Sequence, residues 1–220
     1  MIAHPVDLVN LAELFLSIQG EGSRAGLPCV FIRLSGCNLD CSYCDSQYAA
    51  RGEGERKKIS VITGRVGRFG VKLVQLTGGE PLIQPGAGPL LRMLCDQGYE
   101  ALVETNGSVD LKPFDPRAKY IVDIKTPGSG AGESFLESNY ENLRDCDEVK
   151  FVVTSKDDFD WAVALTKQRG LDKRHTLLFS PAWGLVKPED MAQWLIDSGV
   201  EGRLSLQIHK LIWGPDATGV

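Results

Sequence analysis

Three cysteines fall within one short segment, Cys37-Asn-Leu-Asp-Cys41-Ser-Tyr-Cys44. Thiolates are soft donors, suited to zinc or to iron–sulfur clusters. A structural zinc site closes with four ligands, often as two C-x2-C knuckles. Here one close pair is present, and neither a second pair nor an H-x3-5-H run follows it. A [4Fe–4S] cluster is normally held by four cysteines. Three would leave one iron open to the nitrogen and oxygen of a small molecule. The C-x3-C-x2-C spacing therefore points to a cluster with one open iron. Cys29, Cys95 and Cys146 are scattered and read as ordinary thiols in a strand, a helix and a loop. A second motif, Thr77-Gly78-Gly79-Glu80-Pro81, joins two glycines to a carboxylate. Glycine lets backbone approach a ligand closely, although alone this run reads as a tight strand-to-helix turn.

The chain that must position these residues has 220 residues, 43% of them hydrophobic and 24% charged. That is ordinary for a soluble globular protein and excludes disorder as its main state. A single domain over residues 1–220 is expected, since no repeat or composition shift marks a second. No apolar run approaches about 18 residues, so no membrane span is expected. The net charge of −5 and the lack of a basic block exclude a dedicated nucleic-acid binder. Residues 1–10 lack a basic patch followed by an apolar core, so no signal peptide is expected. The expected compartment is the cytoplasm, where thiols stay reduced.

Residues 29–35 form a β-branched apolar run ended by Gly36 and read as a buried strand. Further strands are expected over residues 71–76, 100–104, 120–124, 149–153, 176–179 and 204–208. Helices are expected from an N-cap at Ser60 to Gly70, and over 88–97, 157–169 and 188–197. Residues 51–58 read as an exposed loop, and 126–132 as a flexible stretch. Strands and helices alternate, and the strands are continuous apolar runs, which argues for parallel strands covered by helices. About six such strands follow the N-terminal segment, too few for a complete barrel of about 250 residues. The expected fold is α/β, a partial β/α barrel with mostly parallel strands. The cysteines, residues 77–81, 104–107 and 123–126 each follow one of the first four strands. Ligand sites in such folds gather at C-terminal strand ends, so these motifs should converge on one pocket.

At the cysteines and the Gly-Gly-Glu element the chain resembles the radical S-adenosylmethionine enzymes. The resemblance implies that Cys37, Cys41 and Cys44 hold a [4Fe–4S] cluster whose open iron chelates the methionine amino and carboxylate groups. Reductive cleavage then gives a 5′-deoxyadenosyl radical, which abstracts hydrogen from substrate. A longer ordered set narrows the match. It begins with Glu13-Leu-Phe-Leu-Ser-Ile-Gln-Gly-Glu-Gly22 and Phe31-Ile-Arg-Leu-Ser-Gly-Cys37-Asn-Leu. Cys44-Asp45-Ser46, Leu76-Thr-Gly-Gly-Glu-Pro81 and Val103-Glu-Thr-Asn-Gly107 follow. Asp123-Ile-Lys125 and Leu206-Gln-Ile-His-Lys-Leu-Ile-Trp213 complete it. This set is similar to the 7-carboxy-7-deazaguanine synthase family over nearly the whole chain. The resemblance implies that 6-carboxy-5,6,7,8-tetrahydropterin is converted to 7-carboxy-7-deazaguanine, with ring contraction and loss of ammonia. It also implies regeneration of S-adenosylmethionine, a requirement for Mg²⁺, a homodimer, and a product that feeds 7-deazapurines such as queuosine.

Carried onto this sequence, the resemblance assigns roles. Tyr43 and Asp45 flank the last cysteine and line the S-adenosylmethionine site. Gly78, Gly79 and Glu80 meet its methionine end. Asp123, Ile124, Lys125 and the run Ser180-Pro181-Ala182-Trp183 lie along it. Lys125 read alone is a solvated charge. Ile18, Gln19 and Gly20 match the pterin-contacting segment, and Glu21 adds a carboxylate for the guanidine-like edge of the pterin. Arg33 would bind the substrate carboxylate in bidentate fashion; read alone, it would pair with a core carboxylate. Thr77, Glu104 and His209, the last expected in a terminal strand, are further substrate contacts, as is the terminal carboxylate of Val220. Ser46 is the Mg²⁺ ligand, where the family commonly shows threonine; its hydroxyl offers the same hard oxygen. An electron donor such as flavodoxin or ferredoxin is implied, although the compact segment 47–71 offers little docking surface. Two rivals share part of the pattern. A glycyl-radical-enzyme activating protein carries the same cysteines but has no need of residues 19–21 or 206–213. A non-catalytic zinc or iron–sulfur binding module has no use for the Gly-Gly-Glu element.

Overall fold

The computed structural model describes residues 7–220; residues 1–6, part of the segment read for a signal peptide, lie outside the described residues. The strands are β1 (Leu8–Ile18), β2 (Pro28–Leu34), β3 (Glu55–Lys58), β4 (Leu73–Gly78), β5 (Glu100–Thr105), β6 (Lys119–Asp123), β7 (Glu148–Val153), β8 (Thr176–Pro181) and β9 (Arg203–Leu204). They form one sheet in the order β3-β1-β2-β4-β5-β6-β7-β8-β9. β1 runs antiparallel to β2 and β3, and the ladder from β2 through β4 to β9 is parallel. The helices are α1 (Gln47–Arg51), α2 (Ile59–Val66), α3 (Ala87–Asp96), α4 (Asn139–Asn142), α5 (Lys156–Arg169), α6 (Pro188–Ser198) and α7 (Ile208–Trp213). The fold is the expected α/β incomplete barrel, and its seven parallel strands, β2 and β4 to β9, each overlap one of the expected segments.

Successive side chains of a strand point to opposite faces, and here both faces are covered. Val30, Ile32 and Leu34 of β2, Val74 and Leu76 of β4, and Phe151 of β7 face outward. They pack with Ile62, Leu90, Leu94 and Phe159 from the helices. The alternate positions face inward. Cys29, Phe31, Leu73, Leu102, Ile121 and Leu178 make a separate apolar cluster. Two residues further along the same strands stand Arg33, Gln75, Glu104 and Asp123, and β7 adds Lys150. The barrel interior is therefore apolar at the N-terminal strand ends and charged toward the C-terminal ends.

Several local expectations change. The N-terminal segment, not assigned as a strand, is the long β1. Residues 51–58 are the end of α1 and the edge strand β3, which pairs with β1. Its charged sequence hid it, since edge strands carry charge to block further pairing. α2 starts at Ile59, with Lys58 rather than Ser60 at the cap position. The strand expected over 204–208 is the two-residue β9, and the chain then turns into α7, so His209 rides on a helix. Ser205 N makes one more bond to Phe179 O (2.9 Å), and Ile208 N then donates to Gly20 O (3.1 Å), drawing the chain across the barrel mouth.

Residues 126–132, expected to be flexible, contain a pinned turn. Asp158 of α5 accepts from Thr126 Oγ1 (2.9 Å), Gly128 N (2.8 Å), Thr154 N (3.1 Å) and Thr154 Oγ1 (2.5 Å). Gly128 O and Ser129 O in turn accept from Ser42 Oγ (3.1 Å) and Ser42 N (2.9 Å). The turn thus braces the loop that carries the cysteines. Burial pushes the Asp158 carboxyl up, but these donors outweigh it and hold it below its ordinary value. Asp158→Ala strands four donors and should cost about 3 kcal/mol, lowering Tm by about 6–12 °C. Because the folded-state pKa is depressed, this stabilisation is present above about pH 4 and is lost as pH falls through the folded value. Melting curves from pH 7 to pH 3 should therefore show the wild type losing more Tm than the variant; parallel losses would mean that Asp158 does not anchor the turn.

Candidate active site

The C-terminal strand ends surround a cavity of about 540 Å³, within the roughly 300–1,000 Å³ typical of small-molecule sites. Most of the residues singled out in the sequence line it. Cys37, Cys41, Tyr43, Cys44, Asp45 and Ser46 come from the loop after β2, Ile18 from the end of β1, and Gln19, Gly20 and Glu21 from the segment that follows it. Arg33, Thr77, Gly78, Gly79, Glu104, Asp123 and Lys125 come from strand ends, and Ala182, Trp183, His209 and Val220 from the last third of the chain. Glu80, Ile124, Ser180 and Pro181 do not line it.

Glu80 is fully buried, and its carboxylate is committed elsewhere. It accepts from Leu82 N (2.9 Å), Thr105 Oγ1 (2.9 Å) and Asn106 N (2.6 Å), tying the end of β4 to the end of β5. The Glu80 carboxylate, expected to meet the cofactor, is instead turned inward to these three donors. Gly79 shows why glycine is needed here: a Cβ would meet Gly36 O at 2.3 Å and Cys37 Cβ at 2.7 Å. Glu80 N also donates to Gly36 O (2.9 Å), so the Gly-Gly-Glu strand end and the cysteine loop are one packed unit.

The three thiols are half-buried and unpaired. Burial pushes Cys37 and Cys41 above the ordinary thiol value. Leu39 N–H, 3.4 Å from Cys37 Sγ, and the Lys125 ammonium near Cys41 act in the opposite direction. No trio of His, Cys, Asp or Glu among the described residues is close enough to share one metal ion. A single zinc needs its thiolates within about 2.3 Å of one centre. A cubane spreads them, one to each iron. Three cysteine thiols on one loop are the donors that such a cluster takes, one to each of three irons.

Beside the cysteines, Lys125 donates to Asp123 Oδ2 (2.7 Å) and its ammonium lies 5.5 Å from the Tyr43 ring centroid. Lys125 is mostly shielded rather than solvated; desolvation lowers its pKa, but Asp123 and the neighbouring groups outweigh that and keep it charged. Asp123 Oδ1 and Tyr43 Oη are buried without partners. Two orphaned polar atoms on the wall of a cavity mark where a polar ligand completes the bonding. Ser46 sits at the cap position of α1, yet its hydroxyl makes no cap hydrogen bond.

The opposite wall is a chain of polar groups. Gln19 Nε2 donates to Gln75 Oε1, and Gln75 Nε2 donates to Glu104 Oε2 (2.9 Å). Lys150 Nζ donates to Glu104 Oε1 (2.8 Å) and forms an ion pair with Glu21. Gln207 Nε2 donates to Glu21 Oε1 (2.9 Å). Arg33 donates only through Nε, to Glu13 Oε2 (3.2 Å). Lys210 closes the rim by binding Asp45 Oδ2 (2.5 Å). An added Cβ on Gly20 would sit 1.9 Å from His209 Nδ1, so the bare backbone there admits the imidazole. Burial lowers the His209 pKa, which favours the neutral ring at pH 7. Gln75, Lys150, Gln207 and Lys210 escaped the sequence reading. Lys150 had a signal: a lysine inside Val149-Lys-Phe-Val-Val153 is as anomalous as Arg33 in its strand.

Residues 31–125 match the Radical SAM superfamily. The chain is 41% identical over 215 residues to a 7-carboxy-7-deazaguanine synthase from Chlorobaculum tepidum, across 96% of this chain and 97% of that one. Proteins of the same name from Koribacter versatilis and Clostridium acetobutylicum are 38% and 37% identical, again across 96% of this chain and 100% and 99% of theirs. The crystal structure of QueE from Escherichia coli superposes with a TM-score of 0.74 at 24% identity, covering 91% of this chain and 94% of that chain. It has the same fold.

Gly79→Ala tests the packing of the cysteine loop. The added methyl must displace Gly36 O or Cys37, so iron and sulfide retained after anaerobic reconstitution should fall to less than half of the wild-type content. Full iron content in the variant would show that the loop yields without losing its donor geometry.

Proposed function

Because the chain belongs to the 7-carboxy-7-deazaguanine synthase family, we infer that it is a carbon–nitrogen lyase producing 7-carboxy-7-deazaguanine from 6-carboxy-5,6,7,8-tetrahydropterin, with loss of ammonia. It is a radical enzyme of queuosine biosynthesis that uses a [4Fe–4S] cluster and S-adenosylmethionine. The observation that carries the reading is one cavity joining three thiols, two partnerless buried polar atoms and a wall of carboxylates and amides. Cys37, Cys41 and Cys44 hold the cluster. When bound, the cluster and S-adenosylmethionine supply the electron and the hydrogen-abstracting species.

The protein's own groups bind, orient and keep water out. Tyr43, Asp45, Gly78, Gly79, Asp123, Lys125, Ala182 and Trp183 flank S-adenosylmethionine, with Tyr43 Oη and Asp123 Oδ1 free to bond it. Glu80, Ile124, Ser180 and Pro181 support these strand ends from behind. Gln19, Glu21 and Glu104 present acceptors to the N–H edge of the pterin. Arg33 turns its unused Nη donors to the substrate carboxylate; a paired charge-assisted contact is the strong kind. Ile18, Gly20, Thr77, His209 and Val220 complete the wall, and the neutral His209 ring can accept or donate one hydrogen bond. Ser46 Oγ, free of any capping bond, would offer Mg²⁺ a hard oxygen of the kind that ion prefers. The whole of residues 1–220 acts as one domain, working as a homodimer in the cytoplasm. It receives electrons from a flavodoxin or ferredoxin and has no nucleic-acid partner. No helix of the described residues is long and apolar enough to cross a membrane.

One anaerobic assay tests this: reconstituted protein, dithionite, S-adenosylmethionine, Mg²⁺ and carboxytetrahydropterin, read by mass-detected chromatography. Product should exceed one equivalent of enzyme, vanish in Cys41→Ala, and need several-fold more Mg²⁺ in Ser46→Ala. Arg33→Met should raise KM roughly 10- to 100-fold, the worth of a charged hydrogen-bonded contact. 5′-Deoxyadenosine without 7-carboxy-7-deazaguanine would keep the radical chemistry and reject the substrate.

A further inference from the structure

Lys150 is unlike the other cations of the site. Its side chain is 4% exposed, against 7% for Lys210, 12% for Lys125 and 20% for Arg33, and it alone of these pairs with two carboxylates. It stands between two carboxylates carried by different parts of the fold: Glu104 at the end of β5, and Glu21 in the segment that crosses the open side of the barrel. Those carboxylates remain open to the cavity, 27% and 16% exposed. Lys150 and Gln75 each take one oxygen of Glu104. An ionised carboxylate has about four lone-pair sites, so acceptor capacity toward the cavity remains.

We propose that Lys150 is a positioning residue for the reaction: it holds Glu104 and Glu21 together, both ionised, as a paired acceptor surface for the donor edge of the pterin. The inference rests on the substrate reading above. Two half-buried carboxylates this close do not both stay ionised without a cation, because partial burial and like charge each favour protonation. With Lys150 between them the pair carries one net negative charge. That suits neutral N–H donors, whereas a protonated carboxyl would offer its own hydrogen to the same edge. The other charged or titratable groups around this trio are Arg33 of β2, Asp123 and Lys125 of β6, Tyr43 and Asp45 of the cysteine loop, and His209 of α7. None of these cations makes an ion pair with Glu104 or Glu21, so none replaces Lys150. Burial pushes Glu104 up, but Lys150 more than offsets it and leaves the carboxyl below its ordinary value.

The test uses the full-length protein with its cluster loaded. Steady-state kinetics would vary carboxytetrahydropterin, and calorimetry would follow binding of pterin-6-carboxylate without S-adenosylmethionine. Lys150→Met should raise KM and Kd at least 10-fold at pH 7 while kcat changes less than 3-fold. The ratio of its Kd to the wild-type Kd should fall as pH rises from 6.5 to 8.5, because the protonated carboxyl must ionise. Lys150→Met/Glu21→Gln leaves one carboxylate raised by burial alone, so its Kd stays above wild type and the ratio should fall over a lower pH range than in Lys150→Met. A lysine serving only to fill space would produce neither the pH dependence nor its displacement. Unchanged KM and Kd in Lys150→Met, or the same pH profile in both variants, would overturn the proposal. Should Lys150→Met not fold, the double variant decides: a raised Kd whose ratio to wild type falls with rising pH supports the proposal, and a wild-type Kd rejects it. A wild type that makes no product and binds no pterin-6-carboxylate would reject the substrate reading itself, before any variant is compared.

Discussion

The charged upper half of the barrel interior sets the terms for the rest of this fold. Removing one partner of a buried ion pair typically costs 3–5 kcal/mol, because the other charge is left uncompensated. The interior is therefore built in pairs: Arg33 with Glu13, Lys125 with Asp123, Lys150 with Glu104 and Glu21, and Lys210 with Asp45 at the rim. Two of these join neighbouring strands or one strand end. The other two tie the barrel to the segment after β1, and the C-terminal helix to the cysteine loop. Stability comes mainly from the apolar layers below and outside, led by Phe151, Phe179, Leu76 and Leu90. The polar layer contributes position: each of these paired charges is already committed on one side to a neighbour.

An incomplete barrel must also close its open side. β9 pairs only with β8, over two residues, and its outer edge has no strand beyond it among the described residues. The gap toward β1 is bridged by residues 19–24 and by α7. Gly20 O accepts from Ile208 N, and Ser23 N donates to Glu148 Oε2 (3.1 Å) at the start of β7. Gly22 adopts a left-handed φ of 74°, and an added Cβ would stand 2.9 Å from Glu148 Oε2. The bridge is thin and polar because it serves as a wall of the site and not as a layer of the core. That is why the Gln-Gly-Glu-Gly run needs its particular residues: amide and carboxylate face inward, and glycines let the chain pass close to His209 and Glu148.

Much of this was legible in the sequence, because the strongest signals were chemical. The C-x3-C-x2-C run, the glycine pair and the apolar strand runs each carry their physical reason locally, and together they placed the site at the C-terminal ends of parallel strands. What escaped depends on partners distant in sequence. β3 is a run of charge that becomes a strand only because β1 offers it an edge. Residues 204–208 alternate like a strand, but β8 supports only the first two, and the bond to Gly20 turns the rest into α7. Glu80 reads as a ligand contact from its motif; its three internal donors come from residues 82, 105 and 106. Gln75 and Lys150 were hidden inside strands read as apolar, though their parity with Thr77 and Val152 places them on the inward face.

The cysteine loop is held by hydrogen bonds that need no metal. Gly36 N donates to Ala49 O (2.9 Å), Glu80 N to Gly36 O, and Ser42 N to Ser129 O, while Asn106 Nδ2 reaches Asn38 Oδ1 (3.2 Å). Small zinc domains behave differently, since their sites do not exist before the metal binds and metal affinity is folding free energy. Here the binding residues are placed by strand ends, by the Asp158-anchored turn and by the Glu80 tie, each belonging to a fold whose core lies below. The ordering cost of the loop is met when the chain folds. The three thiols would thus be in place before a cluster bound, beside a cavity whose remaining walls are already formed.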